Sequence, residues 1–392
     1  MRSRSPFALA LLASMTSAGA AAFVACDERP VAAILDPDAE APPAPPPPPQ
    51  MPPPPPVDAG QDAGLDCTKD FQPDGLPVHL ACTGLYADFA AKTIAAENVF
   101  YKPANEFWSD GAEKRRFLYL PPGATIDITD FDAWKMPNGT KVWKEFTVDG
   151  KLTETRIFWK SATGTWNHTA YVWNEAATDA IRNDYGVLVA REDGGAPYEI
   201  PNNAQCTFCH DNRTDELLGV DALGLGLPGA QGVTLATLAA ANRFSSPPPT
   251  TSLALPEDAT GKAVAALSFV QTNCGGVCHQ QGGFAGVMNM RIYAAQIMDG
   301  GADAGGPLDI YTNAVCQDAT TRGNPFDGGT TIRRIEGGDP TDSLLSYLSG
   351  RRVPNDGTPS ATEQMPPLVT RRVPTAGHQA LDDWIAALPP CP

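Results

Sequence analysis

The sequence predicts a multidomain α+β chain in which an antiparallel β-rich domain over residues 66–246 is followed by an all-α domain over 247–392. Three observations carry that expectation. A chain of 392 residues is too long for one small domain and suits two domains plus extensions. Residues 100–189 read as strands rich in aromatic and β-branched side chains, and after Pro247-Pro248-Pro249 the apolar spacing becomes helical.

The N-terminus comes first. Arg2 and Arg4 form a positive start, and an apolar Ala/Leu-rich stretch runs from Phe7 to Ala25, so residues 1–25 read as an export signal. Phe23-Val24-Ala25-Cys26 resembles the bacterial lipobox, which implies acylation of Cys26 and a lipid anchor on the periplasmic side of a bacterial membrane, inner or outer. Phe23 departs from the aliphatic residue usual there, and an ordinary cleaved signal or an uncleaved anchor are the alternatives. Residues 26–65 form a proline-rich disordered tether, nearly all proline between 41 and 57. At about 3.1 Å per residue, roughly fifteen residues of polyproline II would span roughly 45 Å. The Asp-Ala-Gly repeats at Asp58 and Asp62 extend the tether and lack the ligand spacing of a calcium loop.

Within the β-rich region, Lys141–Val148 and Leu152–Trp159 flank Asp149-Gly150, a strong type I′ hairpin signal. Trp166–Trp173 adds another strand. The tryptophans could line a ligand groove, but aromatic strand residues more often fill a core. In the C-terminal region Ala263, Val264, Leu267 and Val270 recur at helical spacing on a segment ending at Cys274. Asp339-Pro340 supplies a cap and first-turn proline for a short helix through Leu344, Leu345 and Leu348, stopped at Gly350. A last helix carries Leu381, Trp384, Ile385 and Leu388 on one face. The Gly-rich stretch from Asp299 to Gly306 reads as a loop insertion.

The chemistry lies in the cysteines. Cys206-Thr207-Phe208-Cys209-His210 is a Cys-x-x-Cys-His run, the attachment signature of c-type haem. Two thiols so spaced reach both vinyl groups of one porphyrin, and the adjacent histidine reaches the iron. Cys274-Gly275-Gly276-Val277-Cys278-His279 repeats the pattern with one residue too many, a bulge that the glycines make easy. A zinc pair, a redox dithiol and a plain disulfide are the competing readings; zinc would need further ligands that no nearby Cys/His pair supplies. Met365 in Met365-Pro366-Pro367-Leu368 is a candidate soft sixth ligand for the second haem, of the kind that raises the potential. For the first haem His79, His168 and Met136 are candidates of equal weakness, while packing or capping accounts for His378. Apart from Cys26, four cysteines remain, Cys67, Cys82, Cys316 and Cys391; they allow three disulfide pairings, the simplest being 67 with 82 and 316 with 391.

Helices around a Cys-His motif resemble the outline of a small cytochrome c domain, which makes the all-α region cytochrome c-like. More widely, the chain resembles a group of predicted dihaem c-type cytochromes of Gram-negative bacteria over 98–388. The stretches that carry this are Phe107-Trp108-Ser109-Asp110-Gly111-Ala112, the turn from Trp134 to Thr140, Tyr171-Val172-Trp173-Asn174, Ile200-Pro201 and the Met365 loop. The resemblance implies two haems c, proximal roles for His210 and His279, and periplasmic electron transfer. The spacing from Cys274 to Cys278 departs from it.

With 28 basic against 45 acidic residues the formal charge is −17, which excludes binding to nucleic-acid phosphates and favours redox partners with a basic docking face. Two other functions fit the residues. One is a peroxidase-like haem enzyme with an open first haem. The other is a binding module whose haem sites have degenerated.

Overall fold

The computed structural model describes residues 65–283, 285–298, 307–319, 332–353 and 364–392, all within one compact unit spanning 58–392. The expected export signal, lipidated Cys26, tether and Asp-Ala-Gly repeats lie outside the described residues, as does the stretch from Asp299 to Gly306. Among the described residues no helix is long and apolar enough to cross a membrane.

A small hairpin of β1 (Tyr86–Asp88) and β2 (Thr93–Ile94) precedes the main sheet. That sheet is antiparallel and seven-stranded, built from β3 (Val99–Lys102), β4 (Glu113–Tyr119), β5 (Lys141–Val148), β6 (Lys151–Lys160), β7 (Trp166–Trp173), β8 (Ala180–Asn183) and, at its far edge beside β3, β11 (Gln231–Gly232). A second hairpin, β9 (Tyr185–Val189) and β10 (Tyr198–Asn202), leads directly into α1 (Asn203–His210). Asp149 and Gly150 both take positive φ, 50° and 78°, as the type I′ turn between β5 and β6 demands.

Both faces of this sheet are covered. On one, Phe117, Trp143, Ile157, Tyr171 and Trp173 pack against Leu76, Leu80 and Leu85 of the preceding segment, which the Cys67–Cys82 pair at disulfide distance ties together. The tryptophans Trp134, Trp143, Trp166, Trp173 and Trp384 are all buried, as core side chains. On the other face, Leu118, Val142 and Phe158 share one apolar cluster with Leu267, Val270, Leu381, Trp384 and Ile385.

That shared cluster corrects the expected fold class. No separate all-α cytochrome c-like domain is formed. The remaining helices are α2 (Ala222–Gly226), α3 (Leu235–Ala240), α4 (Ala263–Val270), α5 (Ala294–Ile297), α6 (Asp309–Asn313), α7 (Leu344–Ser349) and α8 (Thr375–Ala387). All but α8 are one or two turns long, too short to be stable without tertiary packing. They bury their apolar side chains in the cluster that the sheet completes, so the two regions share a core. The helical spacing itself is realised: Ala263, Ala266, Leu267 and Val270 are buried on α4, with Val264 turned outward, and Leu381, Trp384 and Ile385 are fully buried on α8. Asp339 caps a turn, accepting from Thr341 N at 2.8 Å, and α7 starts only at Leu344. Cys316 and Cys391 lie at disulfide distance and hold the C-terminus to the strand-like segment at Ile335.

Candidate functional site

Asn202 begins the first site. Its Oδ1 accepts from Gln205 N at 2.9 Å while Gln205 Oε1 accepts from Asn202 N at 2.9 Å, a reciprocal cap that starts α1 where β10 ends. On an α-helix, positions 206, 209 and 210 fall on one face, so Cys206, Cys209 and His210 point the same way. The chain then loops back, and His210 Nδ1 donates to the Glu216 carbonyl oxygen. A carbonyl can only accept, so this bond places the proton on Nδ1 and leaves Nε2 free as a ligand. One residue earlier Asp215 is the buried anchor of that loop. It pairs with Lys160, and it accepts from Met136 N and, at 2.9 Å, from Trp166 Nε1.

The second site absorbs its extra residue by a change of helix type. After α4 the chain widens into a π-helical turn over Gln271–Gly275, with Gly276 N bonded to Gln271 O at 2.7 Å and His279 N to Cys274 O at 3.0 Å, both five residues apart. In such a turn positions i, i+4 and i+5 share a face as i, i+3 and i+4 do in an α-helix. The His279 N to Cys274 O bond extends that spacing past the turn, and Cys274, Cys278 and His279 line the same cavity as Cys206, Cys209 and His210. The glycine requirement is one of close approach: a Cβ on Gly275 would lie 2.6 Å from Met290 O and 2.8 Å from the Arg291 backbone. Gly276 has an ordinary φ of −70°, but a Cβ there would lie 2.8 Å from Gln271 O.

The two sites are cross-linked. Gln280 Nε2 donates to Asn212 O at 2.6 Å, Arg213 donates to Gly276 O at 3.2 Å, and Arg213 is held by Asp221 at 2.7 Å. Cys206, Cys209, His210, Cys274, Cys278, His279 and Met365 all line one cavity between α1, the π turn and the sheet, with about 2180 Å³ of empty space including its mouth.

Burial sets the protonation states. It pushes His210 down to about 3 and His279 down to about 4, so both rings are neutral at pH 7. Among the described residues, the buried His279 Nδ1 has no hydrogen-bond partner. All four motif cysteines are free thiols, raised by burial to about 11 at Cys206 and Cys278 and about 12 at Cys209 and Cys274. Among the described residues no three His, Cys, Asp or Glu side chains converge as a metal site. Neutral imidazoles and protonated thiols in pairs, all lining one cavity, are groups that could hold a porphyrin that brings its own iron and four nitrogens.

Met365 stands on a loop tied down at several points. Its amide bonds Leu348 O at 2.8 Å, its carbonyl accepts from Arg352 at 3.2 Å, and Gln364 spans the loop to Thr370 O at 3.1 Å. Past that loop, Asp110 accepts from the backbone amides of Arg371 and Arg372 at 2.8–3.0 Å, and Trp108 donates Nε1 to Arg372 O at 2.7 Å. Trp108 N also donates to Asn273 Oδ1 at 2.8 Å, one residue before Cys274. The Trp-Ser-Asp-Gly stretch is thus a latch joining the Met365 loop to the second motif, a role that the sequence alone did not show.

The three candidate ligands for the first haem are not brought to the cavity. His79 bridges Ile181 at the β8 edge of the sheet, bonded through Nδ1 to Asp70 at 2.8 Å. His168 sits behind His210, with Phe158 stacked between them at 4.9 and 4.1 Å, and Met136 is buried beside a separate small cavity. His378 packs on Ser349 and Asp382 at the start of α8. Residues that sequence reasoning missed are Asp215, Gln280 and a row of cations on the cavity wall. No family model, curated protein or solved structure matches the chain.

Proposed function

We propose that the chain is an exported, lipid-anchored dihaem cytochrome c that passes electrons between redox partners in the periplasm. The observation that carries this reading is the convergence of both Cys-His motifs and Met365 on one cavity, each histidine neutral. Cys206 and Cys209 would hold one haem and Cys274 and Cys278 the other, each thiol S–H adding across a vinyl double bond with nothing lost. Protonated thiols are the form from which that addition balances. His210 and His279 would bind the irons, His210 with its ring oriented by the Glu216 carbonyl, and Met365 would supply a sixth ligand. The bound irons supply reversible one-electron transfer. The contacts of Gln280 and Arg213 between the motifs keep the two groups neighbours.

Mass spectrometry and a pyridine haemochrome assay of the mature protein test the reading. Two covalent haems are expected, one after Cys206→Ser with Cys209→Ser, and one after Cys274→Ser with Cys278→Ser. A mature protein without covalent haem overturns it.

The absence of His79, His168 and Met136 from the cavity favours a second reading, in which the first haem is open and binds a small ligand such as peroxide. A high-spin ferric component that binds cyanide or azide would support it, and two low-spin haems inert to both would count against it.

A further inference from the structure

On the cavity face of the sheet, Lys144 of β5 lies directly opposite Arg116 of β4 on one side and Arg156 of β6 on the other. All three line the cavity. Directly opposed residues of an antiparallel pair have Cβ atoms about 4.5–5.5 Å apart, and like charges there are destabilising. Two of the cations are answered: Arg116 by Glu106 at 2.7 Å, and Arg156 by Glu154 at 2.6 and 2.9 Å. Those carboxylates are already shared, Glu106 with Lys102 at 3.1 Å and Glu154 with the Tyr198 hydroxyl at 2.6 Å. The other cavity carboxylates are engaged elsewhere, Glu199 by Arg371 at 2.9 Å and Asp221 by Arg213 at 2.7 Å. Lys144 has no ion pair among the described residues; its Nζ stands 4.9 Å over the Phe146 ring. Burial, then Arg116, Lys114 and Arg156, force its ammonium well below the ordinary lysine value. A row of this kind costs stability unless a negative group occupies it.

We infer that Arg116, Lys144 and Arg156 form an oxyanion-binding site on the sheet wall of the cavity, taking a carboxylate or a group of like charge and shape. The guanidinium N–H groups that Glu106 and Glu154 leave over can donate to an oxyanion, and the ammonium supplies a point charge between them. Two sources carry this chemistry. One is the propionate arms of a haem held by Cys206, Cys209 and His210, which rests on the function proposed above. The other is a free oxyanion entering the cavity mouth, which does not.

Lys144→Met keeps the side-chain length, removes the charge and leaves both arginine pairs intact; Lys144→Arg restores the charge. The purified full-length protein is assayed for haem content, for the reduction potential of each haem between pH 5 and 9, and for binding of formate and inorganic phosphate by calorimetry. If propionates fill the site, Lys144→Met lowers one potential and adds a pH-dependent step to it, because a carboxylate released from its ammonium takes up a proton at higher pH. Lys144→Arg reverses both changes, and neither probe binds. If a free oxyanion fills it, the parent binds formate or phosphate and Lys144→Met weakens that at least tenfold. Unchanged potentials together with no Lys144-dependent anion binding overturn the inference. If the haem assay shows none at Cys206, anion binding alone decides, and its absence overturns the inference separately from the haem count.

Discussion

Asp215 shows how much of the first site depends on one buried side chain. It pairs with Lys160 and holds Met136 N and Trp166 Nε1, and the next residue supplies the carbonyl that orients His210. Asp215→Ala leaves the Lys160 ammonium buried without its partner, a loss of about 3–5 kcal/mol. A urea titration should show that loss, with haem content falling at the first motif before the second. A variant of parental stability would sink this account. The histidines give a pH dependence of definite sign. Folding holds His210 and His279 neutral down to about 3 and about 4, whereas the unfolded rings titrate near the ordinary 6.5. Between about 4 and 6.5 the unfolded chain therefore binds more protons, so haem-free protein gains stability as pH rises through that window and loses it as pH falls. Urea midpoints of haem-free protein at pH 4.5, 5.5 and 6.5 should increase in that order, and a flat series would refute the burial argument.

At the scale of elements, the sequence is most legible where the signal is local. The Asp149-Gly150 hairpin, the Trp166–Trp173 strand and the buried faces of α4 and α8 all follow from spacing and turn chemistry. The cation row is not legible, and the reason is a register shift between Phe146 and Thr147. Counted straight from the two-residue turn, Lys144 would face Thr155 and Arg156 would lie on the other side of the sheet. The irregularity brings Arg156 opposite Lys144, and a one-residue slip exchanges the faces of a strand. The π turn is similar: the sequence shows one residue too many, but only the backbone shows i→i+5 bonds absorbing it. The Asp110 latch joins residues more than 250 positions apart, beyond any local pattern. Burial raises the Asp110 carboxyl against the pull of the Arg371 and Arg372 amides. Asp110→Ala strands those amide donors at about 1–3 kcal/mol and frees the Met365 loop. The reduction potential of one haem should then fall in the same direction as in Met365→Ala, because a thioether ligand raises it. A potential that falls in Met365→Ala and stays at the parental value in Asp110→Ala would separate the latch from the ligand.

For the whole molecule, the shared core changes what the charge can do. Helical spacing after residue 247 announces apolar faces without naming what covers them, and the sheet covers them here. The two Cys-His motifs consequently belong to one body and line the same cavity. Within that cavity the wall is positive at Arg116, Lys144 and Arg156, while the chain as a whole carries −17. The long-range field that a diffusing protein feels is set by the total, since the wall cations lie inside a negatively charged body and salt screens exposed charges over about 8–10 Å. A basic redox partner should therefore be steered in, with a bimolecular electron-transfer rate that decreases steadily as ionic strength is raised. Stopped-flow mixing of the reduced protein with a basic electron acceptor, in increasing sodium chloride, measures this. An acidic acceptor should show the opposite slope, because salt then screens a repulsion. Equal and flat responses for both acceptors would mean that encounter is governed by the local positive wall or by apolar contact at the cavity mouth, and the steering argument would fail.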